Sequence, residues 1–215
     1  IFSRGNGKIR LALNYLSFVI SGWLWKVFTK IKPDMVFIFE VSPMTQALPG
    51  IWFAKKRKIP SYIYVQDLWP ENLEIVGGIK NKKVIKQVNK MVDYIYRNSE
   101  KILVTSKSFR QNIINRGVEK NKVIYWPQYA ENIYTPSYKE KNENELIIMF
   151  TGNIGEAQGL DILPEVVKLI KEKHDDMNLK IILVGDGRNR NNLENRIIEL
   201  GVSEYFQFLG QKPPI

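Results

Sequence analysis

The chain has 215 residues, enough for one large domain or two small ones, and its 44% hydrophobic content excludes a wholly disordered protein. It contains no cysteine and one histidine, which excludes disulfides, thiolate nucleophiles, cysteine-ligated metals and paired-histidine metal sites. The net charge of +10 is uneven: residues 1–140 carry 23 Lys and Arg against 10 Asp and Glu, whereas residues 141–215 carry 9 against 12, which indicates two units with different partners.

An apolar stretch comes first along the chain. Residues 11–25 are uncharged, lie between Arg10 and Lys26, and have their few polar members on one narrow stripe at helical spacing. The stretch is shorter than the roughly 20 residues that a membrane-spanning helix needs. Two interpretations carry equal weight: a buried helix of a large domain, or a helix on a membrane surface anchored by tryptophan and lysine side chains.

From residue 35 onwards, short apolar strands alternate with helices. The first unit has predicted strands at 35–40, 61–66, 101–105 and 122–126, and predicted helices at 46–58, 81–98 and 107–116. The second unit has predicted strands at 146–151, 179–184 and 205–209, and predicted helices at 161–173 and 191–200. Because such alternation forms parallel sheets, we predict an α/β protein with a domain at 1–135, a linker at 136–145 and a second domain at 146–215.

Two glycine-rich loops follow strands of the second unit. Residues 151–161 hold three glycines and lead into a helix, whose free backbone N–H groups suit a phosphate, and residues 185–194 repeat the arrangement. A plain strand–helix turn explains the same residues. Neither loop has a nucleotide fingerprint, since Arg190 replaces the third glycine of the dinucleotide motif and no phosphate-binding P-loop motif occurs.

Polar residues also follow strands of the first unit. Asp67 and Glu71 lie beside Trp69 after the second strand. Two carboxylates at this position could act as a general base or bind hydroxyl groups. A plain loop capped by the aspartate explains the same residues equally well. Ser42 and Thr45 follow the first strand. Taken alone, this segment is better interpreted as a helix N-terminus capped by one of these hydroxyls than as a binding loop.

Four short motifs lie in order along the second unit. They are Gly152 with Glu156-Ala157-Gln158-Gly159-Leu160-Asp161, Val184-Gly185-Asp186-Gly187 with Arg190 and Leu193-Glu194, Leu200-Gly201-Val202, and Phe208-Leu209-Gly210. Their order and spacing resemble glycosyltransferase family 4, a family of retaining, metal-independent enzymes with the GT-B fold of two Rossmann-like parallel-sheet domains. Upstream, Val65-Gln66-Asp67-Leu68-Trp69-Pro70-Glu71 resembles the N-acetyl-L-fucosamine transferases that build bacterial O-antigen and capsule.

The resemblance implies roles for particular residues. A nucleotide-sugar donor, UDP-linked, is expected on the second domain and a sugar acceptor on the first, with no metal and no other cofactor. The implied donor-binding residues are Gly152, Asn153, Gly155, Gln158, Gly159, Gly185, Asp186, Gly187, Gly210 and Gln211. The implied catalytic residues are Asp67, Gln66 and Glu71, and the implied acceptor-binding residues are Ser42, Thr45 and Trp69.

The sequence departs from the family pattern in several places. Asn153 and Gln158 are neutral where many members have Arg and Lys to hold the diphosphate, and Gln66 stands where many have His. The glycine-rich N-terminal loop of the family and the paired-glutamate element of its C-terminal domain have no counterpart. We therefore expect both domains to be incomplete in this chain and the chain to be a fragment of a longer enzyme.

The hypothesis that follows is a retaining glycosyltransferase that moves a sugar from a nucleotide diphosphate to a polyprenyl-diphosphate-linked acceptor in surface polysaccharide synthesis. The basic first domain is then expected on the anionic inner face of the plasma membrane, which makes the protein cytoplasmic and peripheral. Nucleic acid is not expected as a partner, because the aromatic residues lie in predicted strands and apolar helix faces. The alternatives are a nucleotide-sugar 2-epimerase of the same fold and a non-catalytic truncated homologue.

Overall fold

The computed structural model describes residues 1–3, 8–75, 79–136, 145–174 and 177–213. The chain divides into two compact units, Ile1–Tyr134 and Thr135–Ile215, and each has its own sheet and its own core. Most of the predicted linker at 136–145 lies outside the described residues, so the linker stays a prediction.

The first unit begins with a long helix and then alternates strands with helices. Its helices are α1 (Lys8–Phe28), α2 (Ala47–Arg57), α3 (Glu71–Ile75), α4 (Lys82–Arg97) and α5 (Lys107–Asn115). Its strands are β1 (Val36–Glu40), β2 (Ser61–Val65), β3 (Lys101–Val104) and β4 (Val123–Tyr125). The strands form one sheet in the order β1-β2-β3-β4 with every pair parallel, which confirms the predicted parallel sheet.

The sheet of the first unit buries one of its two faces. Alternation along the strands places Ile38 and Ile63 in the core, where they pack with residues of α2, α4 and α5. The opposite face exposes 54% of Phe39 and 49% of Trp126. Both rings lie against Tyr64, with ring centres 5.7 and 5.1 Å away, respectively. That face is therefore an aromatic surface in this unit.

One side of α1 packs along α2. Gly22 lies so close to Pro49 that a Cβ added to it would be 2.6 Å from the proline ring, and Trp25 packs on Phe53 with ring centres 5.2 Å apart. The opposite side, at about 100° per residue, is exposed and apolar. This outer face of α1 consists of Leu13, Leu16, Ile20 and Leu24, which are between 43% and 57% exposed.

The helix α1 is also long and apolar enough to cross a membrane. The span Ile9–Phe28 meets that test by length and composition, with a mean hydropathy of 1.3. None of its most apolar window is buried inside the described structure. The helix therefore lies at the surface of the first unit.

The structure contains one helix that the sequence does not predict. No helix is predicted between the strand at 61–66 and the helix at 81–98, yet α3 begins at Glu71. Proline fixes φ and has no N–H to leave unpaired, so Pro70 suits the position just before a helix. The N–H groups of Asn72 and Leu73 donate to the carbonyls of Leu68 and Pro70, each at 2.9 Å. The segment after β2 is therefore wound into a turn that holds its side chains in fixed positions.

The second unit has a smaller parallel sheet. Its strands are β5 (Leu146–Thr151), β6 (Leu179–Val184) and β7 (Phe206–Gly210), and its helices are α6 (Ile162–Lys173) and α7 (Arg190–Glu199). The strands pair in the order β5-β6-β7, all parallel, with an irregularity between Leu183 and Val184. The core lies between the sheet and the helices and is built from Val167, Ile181 and Leu193, among others.

Candidate functional site

A cavity of about 350 Å³ opens in the second unit at the carboxyl ends of its three strands. Ligands bind at this end of open parallel sheets. Five residues that were predicted to bind a donor line the cavity, namely Gly152, Asn153, Gly185, Asp186 and Gln211. Its other lining residues, Thr151, Val184 and Lys212, were not predicted. Lys212 adds a positive charge; it was missed because it lies outside the Phe208-Leu209-Gly210 motif, one residue beyond Gln211.

Close backbone contacts form the floor of this cavity. The Gly152 N–H donates to the Val184 carbonyl at 2.9 Å, and the Gly185 N–H donates to the Gly210 carbonyl at 2.8 Å. Gly185 has φ of +131°, and a Cβ there would lie 1.9 Å from the Gly152 oxygen. A side chain at this position is excluded, so Gly185 is what lets the two loops approach each other.

The remaining predicted donor-binding residues lie outside the cavity lining. The Gly155 N–H donates to Gln158 Oε1 at 3.1 Å, and Gly159 ends this short turn with a left-handed φ of +64°. A Cβ on Gly187 would lie 2.3 Å from the Ile154 carbonyl oxygen. The shapes of their own loops explain these residues, and their part in donor binding stays a prediction.

The groups at this cavity carry charges of both signs. Asp186 Oδ1 accepts a hydrogen bond from the Gly187 N–H at 2.8 Å and lies 3.9 Å from the guanidinium of Arg190. Arg190 pairs more closely with Glu194, at 2.8 Å, and that hydrogen bond raises the pKa of Arg190. The ammonium group of Lys212 and the nearby amides can therefore donate to an anion, while Asp186 can accept from hydroxyl groups.

In the first unit, a hydrogen-bonded network forms where β1 and β2 end. The Ser42 hydroxyl donates to Asp67 Oδ2 at 2.7 Å and accepts from Asn72 Nδ2 at 2.8 Å and from Trp69 Nε1 at 3.2 Å. This Ser42 network joins three of the predicted site residues, Ser42, Asp67 and Trp69. Asn72 was missed, because it lies on the helix that the sequence did not predict.

Gln66 and Glu71 lie near this network with partners of their own. Gln66 Oε1 accepts from the side-chain amide of Gln128, and Glu71 Oε1 accepts from Asn112 Nδ2 at 3.0 Å. Glu71 Oε2 is buried and has no hydrogen-bond partner among the described residues. The structure therefore gives Asp67 and the other predicted carboxylate separate partners rather than pairing them.

Glu40 is a buried carboxylic acid that the sequence analysis missed. It is fully buried at the end of β1, and its backbone carbonyl accepts from the Gln66 N–H at 2.8 Å. Burial, followed by the charge of Asp67, raises the pKa of Glu40 to about 9, so the group is neutral at pH 7. The two-residue period of β1 places it on the same face as Ile38, which is the signal that could have identified it.

Two expectations for this region need correction. The residue before the 3-10 turn Met44–Gln46 is Pro43, and no side chain caps that turn or α2, so capping by Ser42 or Thr45 is wrong. The hydroxyl of Ser42 bonds to a carboxylate instead, and that of Thr45 is buried without a partner among the described residues. Trp69, an implied acceptor-binding residue, is only 7% exposed, and its ring packs in the core of the first unit.

Comparison with known proteins gives a consistent assignment. Residues 136–214 match the family model Glycosyl transferases group 1. The putative colanic acid biosynthesis glycosyl transferase WcaI of Escherichia coli strain K12 is 25% identical over 186 residues, covering 80% of this chain and 44% of WcaI. An uncharacterized glycosyltransferase of Methanocaldococcus jannaschii, MJ1607, is 28% identical over 166 residues, covering 68% of this chain and 40% of MJ1607. The chain thus spans less than half the length of these relatives.

The fold is shared with solved structures at low sequence identity. HepE of Anabaena, solved in complex with UDP, matches 94% of this chain and 53% of its own chain with a TM-score of 0.60 at 14% identity. The chain accordingly has an α/β fold of the GT-B class with two parallel sheets, as predicted. The family model and the relatives support a glycosyltransferase of that type.

Proposed function

We propose that the protein is a retaining, metal-independent glycosyltransferase of family 4. It moves a sugar from a UDP-linked donor onto a polyprenyl-diphosphate-linked sugar in the synthesis of a bacterial surface polysaccharide. The name of the E. coli relative, which refers to colanic acid biosynthesis, supports the polysaccharide role, and the UDP in HepE supports the choice of nucleotide. The transfer of N-acetyl-L-fucosamine is proposed from the resemblance of Val65–Glu71 alone.

The cavity in the second unit is the observation that carries this proposal. It lies within the residues that match the family model, at the strand ends where nucleotides bind. A departing diphosphate requires positive charge and hydrogen-bond donors that are already in place. Lys212 supplies the charge that the neutral side chains of Asn153 and Gln158 do not. The donor diphosphate is therefore assigned to this cavity.

We assign the acceptor hydroxyl to Asp67. Its Oδ2 is held by Ser42, and no described residue donates to its Oδ1, which leaves that oxygen for a substrate hydroxyl. As the proton of the hydroxyl moves toward Oδ1, the acceptor oxygen bonds to the anomeric carbon of the donor. The bond from that carbon to the diphosphate oxygen breaks ahead of the attack, and the diphosphate leaves with the electron pair. The acceptor oxygen enters on the face that the diphosphate leaves, so the anomeric configuration is retained.

We further propose that the protein binds the inner face of the plasma membrane through α1. The outer face of α1 is apolar and exposed, and the basic end of α2 adjoins its C-terminal end. Lys56 donates to the carbonyls of Lys26 and Val27, at 3.4 Å each, and Arg57 donates to the Thr29 carbonyl at 2.8 Å. An apolar face beside a cationic cluster is typical of helices that lie on anionic lipid.

Calorimetric titration with UDP tests the assignment of the donor cavity. We expect UDP to bind with the same affinity with and without EDTA, since no metal is proposed. Lys212→Met should weaken binding about tenfold or more, because a hydrogen bond to a charged group contributes about 1.5–3 kcal/mol. Lys168→Met, which removes an exposed lysine from α6, is the matched control and should leave the affinity unchanged.

Two results would overturn this assignment. One is the absence of UDP binding to the native protein. The other is an equal loss of affinity in the two lysine variants, which would show that the second unit attracts the nucleotide by its general charge and not by contact with Lys212.

A further inference from the structure

A second cavity lies within the first unit, between α1 and the turn that follows β1. Its volume is about 170 Å³. Asn14, Tyr15 and Phe18 line it from α1, and Ser42, Pro43, Thr45 and Gln46 line it from the turn. A water molecule takes up about 30 Å³ of liquid, so the cavity holds about six waters, the space of a single ring rather than of a chain of sugars or an isoprenoid.

The lining of this cavity is polar and aromatic but carries no charge. Its lining residues carry the side-chain amides of Asn14 and Gln46, the hydroxyl of Tyr15 and the ring of Phe18. A diphosphate would require cations, which are missing from this lining, whereas a neutral ring rich in hydroxyls fits it.

The cavity is continuous with the Ser42 network. Ser42 lines it and at the same time donates to Asp67 Oδ2 at 2.7 Å. A ring bound here would contact the serine that holds the carboxylate that we assign as the base. Asn14 and Phe18 lie about 40° apart around the helix, whereas Leu16 of the outer face lies about 160° from Phe18. The side of α1 that lines the cavity is therefore opposite its outer face.

We propose that this cavity binds one uncharged sugar ring, the terminal sugar of the acceptor, and that α1 forms one of its walls. The proposal rests on the proposed function and deepens it, since it names the subsite of the acceptor. The same helix then has two roles on opposite sides: its outer face contacts the lipid, and its inner side selects the sugar that the lipid carries. Asn14, Tyr15 and Phe18 become residues that determine acceptor specificity.

Single cysteines test the occupancy of the cavity directly, because the native chain has none. Tyr15→Cys and Gln46→Cys place a thiol on each wall, and Leu13→Cys places one on the outer face of α1. Each variant is labelled with a maleimide in the presence of saturating methyl glycosides of glucose, galactose, fucose, rhamnose, N-acetylglucosamine and N-acetylgalactosamine. We expect at least one glycoside to slow labelling of both wall variants several-fold and to leave Leu13→Cys unaffected.

The labelling result overturns the proposal if no glycoside slows either wall variant, or if one slows all three variants equally. Melting curves show whether each variant is folded, and the two walls provide independent readings. Because labelling needs no catalysis, it separates the two proposals. Protection without any sugar transfer would sustain the sugar site and contradict the proposed function.

Kinetics supply the second test. Phe18→Ala should raise the KM for a lipid-linked acceptor about tenfold, the loss of roughly 1.4 kcal/mol of ring packing, while the KM for the UDP-sugar stays unchanged. Val84→Ala, which truncates an exposed side chain on α4, is the control. An unchanged acceptor KM in Phe18→Ala, in an enzyme that transfers sugar normally, would overturn the cavity assignment and leave the proposed function intact.

Discussion

At the scale of single residues, the orientation of Asp67 depends on the hydroxyl of Ser42. That oxygen already accepts hydrogen bonds from Trp69 and Asn72, so the one proton it carries is the one it donates to Asp67. Asp67 Oδ2 is therefore the acceptor in this hydrogen bond. The buried indole and the amide thus orient the proposed base indirectly, by fixing the direction of one hydrogen bond.

Replacing Asp67 tests the role of the base. Asp67→Asn keeps the shape of the side chain but removes its ability to take a proton, so sugar transfer should fall by about 100-fold or more. The affinity for UDP should not change, since the donor cavity is in the other unit. Asp34→Asn, at an exposed position, is the control for lost charge. Unchanged transfer, or a loss of UDP binding, would contradict the assigned role.

The buried acid Glu40 predicts a pH dependence of stability. Between pH 4.5 and about 9, folded Glu40 holds a proton that the unfolded chain has released. The free energy of unfolding therefore falls as the pH rises through this range, by up to about 1.4 kcal/mol for each pH unit. Glu40→Gln is neutral at every pH and should lose that dependence.

Urea unfolding at several pH values measures this effect. We expect Glu40→Gln to gain stability relative to the native protein as the pH rises toward 9. Glu100→Gln, at an exposed position of the same unit, should show no comparable gain. If the difference in the free energy of unfolding between the native protein and Glu40→Gln does not change with pH, Glu40 does not retain its proton in the folded state.

At the scale of elements, α1 has two sides with different tasks. Gly22 and Trp25 fix one side to α2, and the side toward residues 42–46 forms one wall of the second cavity. The other side leaves apolar area in water, where burial in lipid is worth about 25 cal/mol for each Å² removed from solvent. The helix is thus tied to the sheet unit by packing and is available to a membrane.

Flotation with anionic liposomes tests the outer face of α1. The triple variant Leu16→Ser, Ile20→Ser and Leu24→Ser should lose liposome binding, since it removes the apolar contact but keeps every positive charge. The matched control replaces three equally exposed apolar residues of the second unit by serine, at Ile162, Leu169 and Ile198, and should float like the native protein. Equal flotation of both triple variants would show that charge alone, or another surface, holds the protein on the membrane.

At the scale of the whole molecule, the division of charge follows the division of tasks. The excess of positive charge lies in residues 1–140, which include α1 and the Ser42 network. The second unit has more acidic than basic residues, and its donor cavity nevertheless contains Lys212. The proposed reaction requires a basic unit for the membrane and the acceptor, and a second unit with a local cation for the diphosphate.

Much of the fold could be predicted because its strands are short apolar runs with clear ends. The bounds of β5 and β6 agree with the prediction, since Gly152 and Gly185 follow them directly. The helix α3 could not be predicted, because five residues are too few for a periodic pattern. One of its side chains, Glu71, is held by Asn112 from a helix far away in the chain.

The candidate site could be predicted only in part. Loops after parallel strands gather at one edge of a sheet, so the glycine loops and the segment around Asp67 could be identified. Lys212 and Asn72 could not, because their positions depend on how separate elements pack. The alternation of side chains along β1 places Glu40 on the buried face of the strand, so its burial could have been predicted. It was missed because acidic residues rarely face a core.

The central claim is that the protein transfers sugar from UDP to a lipid-linked acceptor, and NMR of the reaction tests it most directly. The protein is incubated with a UDP-sugar, with and without a short polyprenyl-diphosphate-linked sugar. We predict that UDP is released only when the acceptor is present and that the new glycosidic bond keeps the anomeric configuration of the donor. Inversion at C2 of the donor sugar without an acceptor would identify an epimerase instead, and unchanged substrates in the presence of bound UDP would contradict catalysis.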